Sequence, residues 1–359
     1  MSDRVNVGIS GLGRSGWDIH ANALEKCSSM YKVVAVSDPL EERRKEAVNR
    51  FGCRAYMDFS SLIRDEEVEL VVIATPSHLH APQTIEALKS GKNVVCEKPM
   101  ATSLAEADEM IRVARETGRI LTVFHNKRYN PDFLKVKEIV KSGKLGRIVL
   151  VKICLHSFGR RWDWQTLKKF GGGELNNNAS HLIDQAVQLV GEKLELLFCD
   201  LQRTLTLGDA EDHVKIILGE PGSTKVDIEV THACAYPQNY WLIMGTRGGL
   251  VGGGNSMRWK YFDPKNLPPR RVDTRPTPDR SYNWEEIPWK EEEWVLDESA
   301  KRSEILFYEE LYKTLREGAS LGVTPESAWK VMSLIEKCRE YCERQAALKQ
   351  SMRRRPFLL

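Results

Sequence analysis

The first 124 residues alternate between short apolar runs and segments with helical periodicity. The apolar runs, each of a length typical of a buried strand, lie at 5–9, 33–36, 70–74, 93–96 and 120–124. Amphipathic segments such as 81–89 and 104–116 separate them, and Thr102 and Ser103 precede the second of these as candidate helix caps. This rhythm predicts a doubly wound parallel sheet in an α/β domain over 1–124.

From about residue 148 the apolar positions alternate with polar ones, as in "IVLVKICLH", "HVKIIL" and "KVDIEVTHAC". Such alternation indicates a mostly antiparallel sheet with one covered face. Residues 263–300 contain several prolines and three tryptophans and are predicted to form an extended excursion, either a subunit-contact arm or a lid over a substrate. Two amphipathic helical segments close the chain, and we predict a second α/β domain over 125–359.

Composition narrows the class of protein. The chain has 359 residues, 42% apolar and 29% charged, which suits two soluble domains. A net charge of +3 argues against a nucleic-acid partner. No apolar run approaches the roughly 20 residues that span a bilayer, and no signal-peptide pattern is present, so we expect a cytoplasmic protein without a membrane partner. The eight cysteines include no C-x-x-C pair, and we expect no metal and no disulfides.

A glycine pattern follows the first apolar run, in "VNVGISGLGRSG". Its G-x-G-x-x-G spacing permits a tight turn, close approach of a pyrophosphate to the backbone, and close packing of helix and strand. Asp38 ends the second run, 22 residues after Gly16, where a carboxylate accepts a ribose 2′-hydroxyl and repels a 2′-phosphate. We therefore predict a Rossmann-type dinucleotide site that favours NAD over NADP. The loop residues assigned to it are Gly11, Gly13, Arg14, Ser15 and Gly16.

Polar residues follow the other predicted strands, at the edge where a doubly wound sheet binds its ligand. They are Thr75, Pro76 and His80 after the third strand, Glu97 and Lys98 after the fourth, and Asn126 and Arg128 after the fifth. A surface ion pair is an alternative role for Glu97 and Lys98, but such a pair would contribute little to stability. A partly desolvated lysine beside a nicotinamide would have a lowered pKa and could carry a proton.

A second glycine run opens the stretch "GGGELNNNASHLIDQ" at 171–185. It predicts a loop that enters a helix, with Asn176, Asn177 and Asn178 as candidate caps. On one face of that helix lie Asn177, His181, Asp184 and Gln188, and on another lie Leu182, Ala186 and Leu189. The polar stripe is either a solvated surface or the wall of a site.

The preceding segment, "HSFGRRWDWQTLKKF", supplies candidate substrate contacts. Arg161, Asp163 and Trp164 combine an aromatic face with planar hydrogen-bonding groups. This combination suits a pyranose ring, which has apolar C–H faces and a rim of hydroxyl groups. The alternative is a packed loop at the edge of the sheet.

The chain resembles the Gfo/Idh/MocA oxidoreductase family over nearly its whole length. The resemblance rests on "GLGRSG", "VVIATPSHLHAPQTIEALKSGKNVVCEKPMA", "NKRYNP", "SGKLGRI", "GGGELNNNASHLID" and "FYEELYKTLREGASLGVTPESAWKVM". It implies a Rossmann domain, a C-terminal α/β domain with a large, mostly antiparallel open sheet, homo-oligomers formed through that sheet, and NAD(P)-dependent redox chemistry on a sugar or cyclitol. It also implies that Lys98 lies by the reacting carbinol, that His181 is the general acid/base, and that Asp184 orients the helix or the imidazole in the substrate site.

The second glycine stretch departs from the family pattern at two positions. Asn177 stands where the resemblance implies an aspartate, and Ala179 where it implies a glycine. An asparagine can hydrogen-bond a substrate hydroxyl but cannot carry a proton, so proton transfer would rest on Lys98 and His181. Without the carboxylate, the Lys98 ammonium should be less stabilised and its pKa lower.

The leading hypothesis is an NAD-dependent dehydrogenase that acts on a secondary hydroxyl of a sugar, glycoside or cyclitol. Two alternatives stay open. One is a non-catalytic protein that senses NAD or a sugar, and only Asn177 favours it. The other is a redox-assisted glycoside lyase or hydrolase that regenerates its own NAD.

Overall fold

The computed structural model of the protein describes residues 4–297, 299–300 and 302–353. The first part of the chain forms a six-stranded sheet with helices on both faces. A π-helical turn, Ser15–Ala21, leads into the first α-helix. The elements are β1 (Val5–Ser10), α1 (Asn22–Lys26), β2 (Tyr31–Ser37), α2 (Glu41–Phe51), β3 (Arg54–Tyr56), α3 (Phe59–Ile63), β4 (Leu70–Ile73), α4 (His80–Lys89), β5 (Asn93–Cys96), α5 (Leu104–Thr117) and β6 (Leu121–Val123).

All six strands run parallel in the order β3-β2-β1-β4-β5-β6, so the predicted Rossmann sheet is confirmed. The order reverses between β1 and β4, which places a ligand crevice beyond the carboxyl ends of these strands. The sequence pattern missed β3, because two of its three residues are exposed and it carries no apolar run. Central strands are buried on both faces, as the side chains of Val71, Val72 and Val94 show.

Helix α5 begins and ends where its local sequence requires. Ser103 accepts a hydrogen bond from the backbone N–H of Glu106, and the Glu106 carboxylate accepts one from the backbone N–H of Ser103, so Ser103 is confirmed as a cap. Gly118 follows the last turn with a φ of +64°, a left-handed conformation that favours glycine. The helix packs against α4, and its side chains Met110 and Ala107 lie in the core.

The second part of the chain forms an eight-stranded sheet. Its elements are α6 (Pro131–Lys141), β7 (Ile148–His156), α7 (Ser180–Val190), β8 (Leu196–Gln202), β9 (His213–Leu218), β10 (Lys225–Thr231), β11 (Trp241–Gly245), β12 (Gly248–Gly253), β13 (Ser256–Tyr261), β14 (Lys290–Val295), α8 (Ser303–Glu317) and α9 (Pro325–Arg353).

The strand order of this sheet is β14-β13-β12-β11-β7-β10-β9-β8, antiparallel except for the parallel pair β7 and β10. Since alternate residues of a strand face the same side, Val151 and Ile153 of β7 point into the core with Ile228 of β10. There they join Leu182 and Ile183 of α7. The predicted open sheet with one covered face is confirmed.

The excursion over 263–300 returns to the sheet as β14, which pairs with β13 and forms an edge. The sequence pattern missed this strand because its residues, "KEEEWV", are mostly charged. An edge strand tolerates charged side chains and is protected by them from pairing with other chains. Before it, the side chains of Tyr282 and Trp284 are exposed.

The last two helices connect both halves. Phe307 and Tyr308 of α8 are buried with Leu24 and Tyr31 of the Rossmann domain. The hydroxyl of Tyr31 also donates a hydrogen bond to the backbone oxygen of Tyr308 at 2.8 Å. Helix α8 therefore completes the core of the Rossmann domain. No helix in the described part of the chain is long and apolar enough to cross a membrane.

Candidate active site

A cavity of about 1170 Å³ lies between the carboxyl ends of the Rossmann strands and the turn that precedes α7. It brings together most of the residues that the sequence predicted. These are Gly11, Gly13, Arg14, Ser15, Asp38, Thr75, Pro76, His80, Glu97, Lys98, Asn126, Arg161, Asp163, Trp164, Asn177 and His181. Three predicted residues, Gly16, Arg128 and Asp184, do not line it. The two glycine stretches thus lie on the walls of one cavity.

The first glycine loop has the geometry of a phosphate cradle. Gly11 has a φ of +86°, and a Cβ there would lie 2.7 Å from the carbonyl oxygen of Ala74. A Cβ at Gly16 would lie 1.8 Å from the carbonyl oxygen of Gly11, so Gly16 supports the turn rather than the ligand. At Gly13 the nearest atom to an added Cβ is an Arg43 nitrogen at 3.9 Å, which leaves this backbone accessible. The loop fits the pyrophosphate of a dinucleotide.

Asp38 lies at the end of β2 and lines the same cavity. Its carboxylate accepts backbone hydrogen bonds from Leu12 at 2.8 Å and from Leu40 at 2.9 Å, which fixes its direction. A guanidinium nitrogen of Arg43, a residue that sequence reasoning missed, lies 3.4 Å from the carboxylate. A carboxylate held in this way retains lone pairs for a ribose hydroxyl.

Glu97 fastens the glycine loop to the end of β5. Its Oε1 accepts hydrogen bonds from the Ser15 hydroxyl and from Nε2 of His20, the latter at 3.2 Å. His20 is fully buried, and its Nδ1 lies 2.7 Å from the hydroxyl of Tyr308. Burial raises the pKa of Glu97, but hydrogen bonding and charge from His20 outweigh it and lower the pKa to about 2. Glu97 is therefore an ionised anchor of the loop, and His20 is its partner that sequence reasoning missed.

Lys98 reaches from β5 to the second glycine stretch. Its Nζ donates hydrogen bonds to the side-chain Oδ1 of Asn177 at 2.9 Å and to the backbone oxygen of Asn177 at 3.0 Å. Burial lowers the pKa of Lys98, while the charges of Glu97 and Glu174 raise it. An ammonium carries three protons, so one proton is left for a ligand in the cavity.

The carboxylate of Glu174 lies directly behind Asn177. It is 4% exposed, and it accepts hydrogen bonds from Nδ2 of Asn177 at 3.4 Å, Nδ2 of Asn178 at 2.6 Å and Nε2 of His232 at 3.0 Å. Burial raises the pKa of Glu174, but His232 and the amides hold it below its usual range. A carboxylate therefore still acts on Lys98 despite Asn177. The pKa of Lys98 is nevertheless lowered, in the direction that the sequence predicted, and burial is the largest cause. In the sequence, the only indication of a role for Glu174 was its position directly after the second glycine run.

His181 lines the cavity beside Lys98 and is 5% exposed. Its Nδ1 has no hydrogen-bond partner among the described residues. Its ring lies edge-on to that of His125, with the centroids 5.9 Å apart. Burial holds the pKa of His181 well below its usual range, and the charges of Lys98 and Lys127 lower it further. The imidazole is therefore neutral, and a ring nitrogen can accept a hydrogen bond from a ligand hydroxyl.

Asp184 does not line the cavity, and of its two expected roles the hydrogen bonds fit the orientation of the helix rather than of the imidazole. Its carboxylate accepts two hydrogen bonds from Arg128, at 2.5 and 2.8 Å, and both side chains are buried. Arg128 also donates to the backbone oxygen of Gly322 and to the hydroxyl of Ser327. The pair joins the turn after β6 to α7 and to the start of α9. Arg128 is thereby kept from the cofactor site that the sequence predicted for it.

The three asparagines do not cap α7, so that expectation is wrong. They lie inside a π-helical turn, Leu175–Ala179, which begins one turn earlier than the sequence predicted. The amide of Asn176 donates to the backbone oxygen of Gly171 at 2.9 Å and accepts from Arg339 at 2.6 Å. The polar stripe is likewise not a solvated surface, because His181 and Asp184 are both buried.

The loop before the second glycine run forms another wall of the cavity. Arg161 donates two hydrogen bonds of 2.9 Å to Asp163, so their charges compensate each other. The Trp164 ring is partly exposed at the same wall.

Lys127 also lines the cavity and was missed, although it lies between the predicted residues Asn126 and Arg128. Among the described residues of 263–300, none lines the cavity.

Predicted cofactor residues also brace the strand ends. The ring nitrogens of His80 lie 2.7 Å from the backbone oxygen of Pro99 and 2.9 Å from that of Thr75, which ties two of these ends together. The hydroxyl of Thr75 donates to Gln83, and the amide of Asn126 donates to Ser303. In the part of the chain that the structure describes, no three His, Cys, Asp or Glu side chains are grouped to hold a metal ion.

Comparison with protein families identifies the class of this protein. Residues 5–125 match the oxidoreductase family model with an NAD-binding Rossmann fold, and residues 133–251 match the GFO/IDH/MocA C-terminal domain. An uncharacterized oxidoreductase of Schizosaccharomyces pombe is 30% identical over 277 residues, covering 73% of this chain and 72% of its own. The chain is an NAD-binding oxidoreductase of the Gfo/Idh/MocA family, which confirms the resemblance.

Other relatives have more specific names. The scyllo-inositol 2-dehydrogenase (NADP(+)) IolW of Bacillus subtilis is 26% identical over 350 residues, 94% of both chains. Myo-inositol 2-dehydrogenase of Thermotoga maritima is 32% identical over 197 residues, 55% of this chain and 58% of its own. The WlbA dehydrogenase from Bordetella pertussis, crystallised with NADH and UDP-GlcNAcA, matches with a TM-score of 0.76 at 24% identity over 95% of this chain and 97% of its own. That likeness confirms the fold alone.

Proposed function

We propose that this protein is an NAD-dependent dehydrogenase that oxidises a secondary hydroxyl of a sugar, glycoside or cyclitol, or reduces the corresponding ketone. The observation that carries the proposal is that Lys98, which follows β5 at the carboxyl edge of the Rossmann sheet, and His181 of α7 line the same cavity. A bound nicotinamide would supply the hydride acceptor. The residues that would hold the dinucleotide are the glycine loop, Asp38 and the strand ends at Thr75 and Asn126.

Lys98 is suited to exchange the hydroxyl proton. A neutral amine has two hydrogens and a lone pair, and both hydrogens can stay bonded to the two oxygens of Asn177. The lone pair then faces the substrate and accepts the carbinol proton. In the reverse direction the third proton of the ammonium is donated to the carbonyl oxygen. Asn177 is satisfied in both states, so proton exchange requires no rearrangement of the lysine.

His181 completes the proton-handling pair. Burial lowers the pKa of His181 and the positive charge of Lys98 lowers it further, so the imidazole is neutral while Lys98 is charged. A neutral imidazole beside the substrate hydroxyl orients that hydroxyl toward Lys98 and accepts the proton as the alternative site. We assign the substrate positions around this pair to Asn177 and to the wall formed by Arg161, Asp163 and Trp164.

The cofactor preference is proposed as NAD. The placement of the Asp38 carboxylate at the cavity supports it, since a fixed negative charge there repels a 2′-phosphate. Arg43 beside it acts in the opposite sense, because a guanidinium can bind that phosphate. The name of IolW, an NADP(+) enzyme, shows that a relative uses the other cofactor.

We also propose that the outer face of the second sheet joins copies of the chain in a homo-oligomer. Met244 pairs with Leu150, and Leu242 pairs with Val251, so these four side chains form an apolar strip on that face. Static light scattering should give a mass above that of one chain. Met244→Glu should reduce it, and a monomeric wild-type protein would contradict this part of the proposal.

The function is tested by incubating the purified protein with NAD or NADP and with myo-inositol, scyllo-inositol, D-glucose and methyl glucosides. Reduced nicotinamide should accumulate with at least one of them. Lys98→Met and His181→Ala should each lower kcat/KM by about 10²–10⁴-fold, and Lys89→Met on the exposed face of α4 should not. Product without net reduced nicotinamide would instead indicate the lyase or hydrolase alternative. Bound nucleotide without any product would indicate a sensor.

A further inference from the structure

Lys127 is a cavity lysine that proton exchange does not use. It lies in the helical turn Asn126–Tyr129 after β6, and its side chain lines the cavity. Lys98 is held by two oxygens of Asn177, but no described residue accepts a hydrogen bond from the Lys127 ammonium or forms an ion pair with it. Burial lowers the pKa of Lys127 to about 8, helped by the charge of Lys98. At neutral pH it therefore remains mostly protonated.

The acidic groups around Lys127 are already bonded to other donors. The carboxylates that act on its charge are those of Asp132 and Glu174. Asp132 accepts hydrogen bonds from the Trp241 indole at 3.2 Å and from the backbone of Gly254 at 3.1 Å. Glu174 is held by His232 and by two asparagine amides. Neither carboxylate is within ion-pair distance of the ammonium among the described residues.

The cations at the substrate end of the cavity differ in how far carboxylates compensate them. Arg161 forms ion pairs with Asp163 and, at 3.8 Å, with Glu174, which also pairs with His232 when that histidine is protonated. Glu97 and Glu174 act on the charge of Lys98, whereas the Lys127 ammonium forms no ion pair with any described residue. The Lys127 side chain is half-buried at the cavity, and a ligand that fills the cavity would remove its ammonium from water unless the ligand compensates the charge. An anionic group on the ligand would do so.

We propose that Lys127 binds a carboxylate of the substrate, which makes the substrate class of this dehydrogenase a polyhydroxylated acid such as a sugar acid. This inference rests on the proposed function. Lys98, Lys127 and His181 all line this cavity, and the charges of both lysines lower the pKa of His181. The acid group would lie at Lys127 while the reacting hydroxyl lies between Lys98 and His181.

A carboxylate fits this position better than a phosphate does. One ammonium matches one negative charge, whereas phosphate sites in proteins add backbone N–H groups at a helix start or several cationic side chains. The helix start after the glycine loop lines this cavity and is assigned to the dinucleotide. Lys127 itself lies in a short turn, and the next residue, Arg128, is already paired with Asp184.

The test compares acids with their neutral counterparts. The pairs are D-glucuronate with D-glucose, D-galacturonate with D-galactose, and D-gluconate with D-glucitol. We expect kcat/KM of the wild-type protein to favour the acid in at least one pair, by about tenfold or more, mainly through KM. Lys127→Met should reduce this preference by about tenfold. Lys127→Arg should retain most of it, and Lys141→Met, an exposed lysine of α6, should not change it.

Several outcomes would overturn the inference and leave the dehydrogenase function intact. They are a preference for the neutral member of every pair, an acid preference that Lys127→Met does not alter, and a stronger response to glucose 6-phosphate than to glucuronate. An equal loss of kcat on both members of a pair would also overturn it, because Lys127 would then act in the chemistry.

If none of the compounds is turned over, the proposed function fails separately, and binding still decides the inference. Titration of the NADH complex with glucuronate and with glucose, followed by NADH fluorescence, measures both affinities without turnover. Tighter binding of the acid that is lost in Lys127→Met supports the carboxylate site. Equal binding of both sugars contradicts it.

Discussion

The carboxylate of Glu174 is connected to the ammonium of Lys98 through a single side-chain amide. Asn177 donates to Glu174 at 3.4 Å and accepts from Lys98 at 2.9 Å. The amide cannot pass a proton as a carboxylic acid would, but it transmits polarity and fixes the position of the lysine. Burial lowers the pKa of Lys98, and the charges of Glu97 and Glu174 raise it, so Glu174 contributes to the pH range in which Lys98 can act as a base.

Glu174→Gln should therefore lower the pKa of Lys98. If neutral Lys98 accepts the carbinol proton, the acid-side limb of the kcat/KM profile for oxidation should shift to lower pH. Glu192→Gln, an exposed charge change in the loop after α7, is the matched control and should leave the profile in place. An unchanged profile in Glu174→Gln would show that Glu174 does not influence the pKa of Lys98.

The ion pair between His232 and Glu174 should make stability depend on pH. Hydrogen bonding to Glu174 raises the pKa of His232 above its usual value of about 6.5. The resulting stabilisation is fully present below that usual value and is lost as the pH rises through the folded-state pKa. Thermal unfolding should thus show a larger loss of Tm in His232→Gln at pH 5.5 than at pH 8.5. An equal loss at both values would show that the pair does not titrate as described.

Periodicity in the sequence predicted both sheets, because buried parallel strands and half-covered antiparallel strands leave different apolar patterns. It missed β3 and β14, whose short or charged sequences form strands only through pairing with a neighbour. Helix α8 was recognised as amphipathic, but nothing local indicates that Phe307 and Tyr308 are buried against the Rossmann domain.

Part of the cavity wall was predicted from one rule, which is that ligands bind beyond the carboxyl ends of parallel strands. That rule located Lys98, and family resemblance located His181. Glu174, His232 and Lys127 were missed because their roles depend on contacts between segments far apart in sequence. The helical spacing correctly placed Asp184 on the same helix face as His181. It could not reveal that Arg128 donates hydrogen bonds to the Asp184 carboxylate.

Removing the charge of Asp184 should destabilise the fold. Asp184→Asn leaves the buried guanidinium of Arg128 without its carboxylate, which typically costs about 3–5 kcal/mol of unfolding free energy. Chemical denaturation monitored by circular dichroism gives this value. Asp18→Asn, an exposed charge change near the glycine loop, should alter it by less than about 0.5 kcal/mol. A small effect of Asp184→Asn would mean that the remaining partners of Arg128 suffice.

Asp38 and Arg43 should set the choice between NAD and NADP. Asp38→Ser removes an acceptor for the ribose hydroxyl and the charge that repels a 2′-phosphate, and it frees Arg43 to bind that phosphate. Fluorescence titrations with NADH and NADPH should show a shift of about tenfold or more toward NADPH. Adding Arg43→Gln to this variant should reverse much of the gain. Unchanged relative affinities would place the ribose elsewhere.

The most direct measurement follows the hydride itself. The wild-type protein is incubated with NAD and with the most active sugar, sugar acid or inositol carrying deuterium on its carbinol carbons, and the reduced nicotinamide is analysed by mass spectrometry. Transfer of one deuterium to the nicotinamide is predicted, and it should fall to background in Lys98→Met but not in Lys89→Met. Reduced nicotinamide without deuterium, or undiminished transfer in Lys98→Met, would contradict the proposed chemistry.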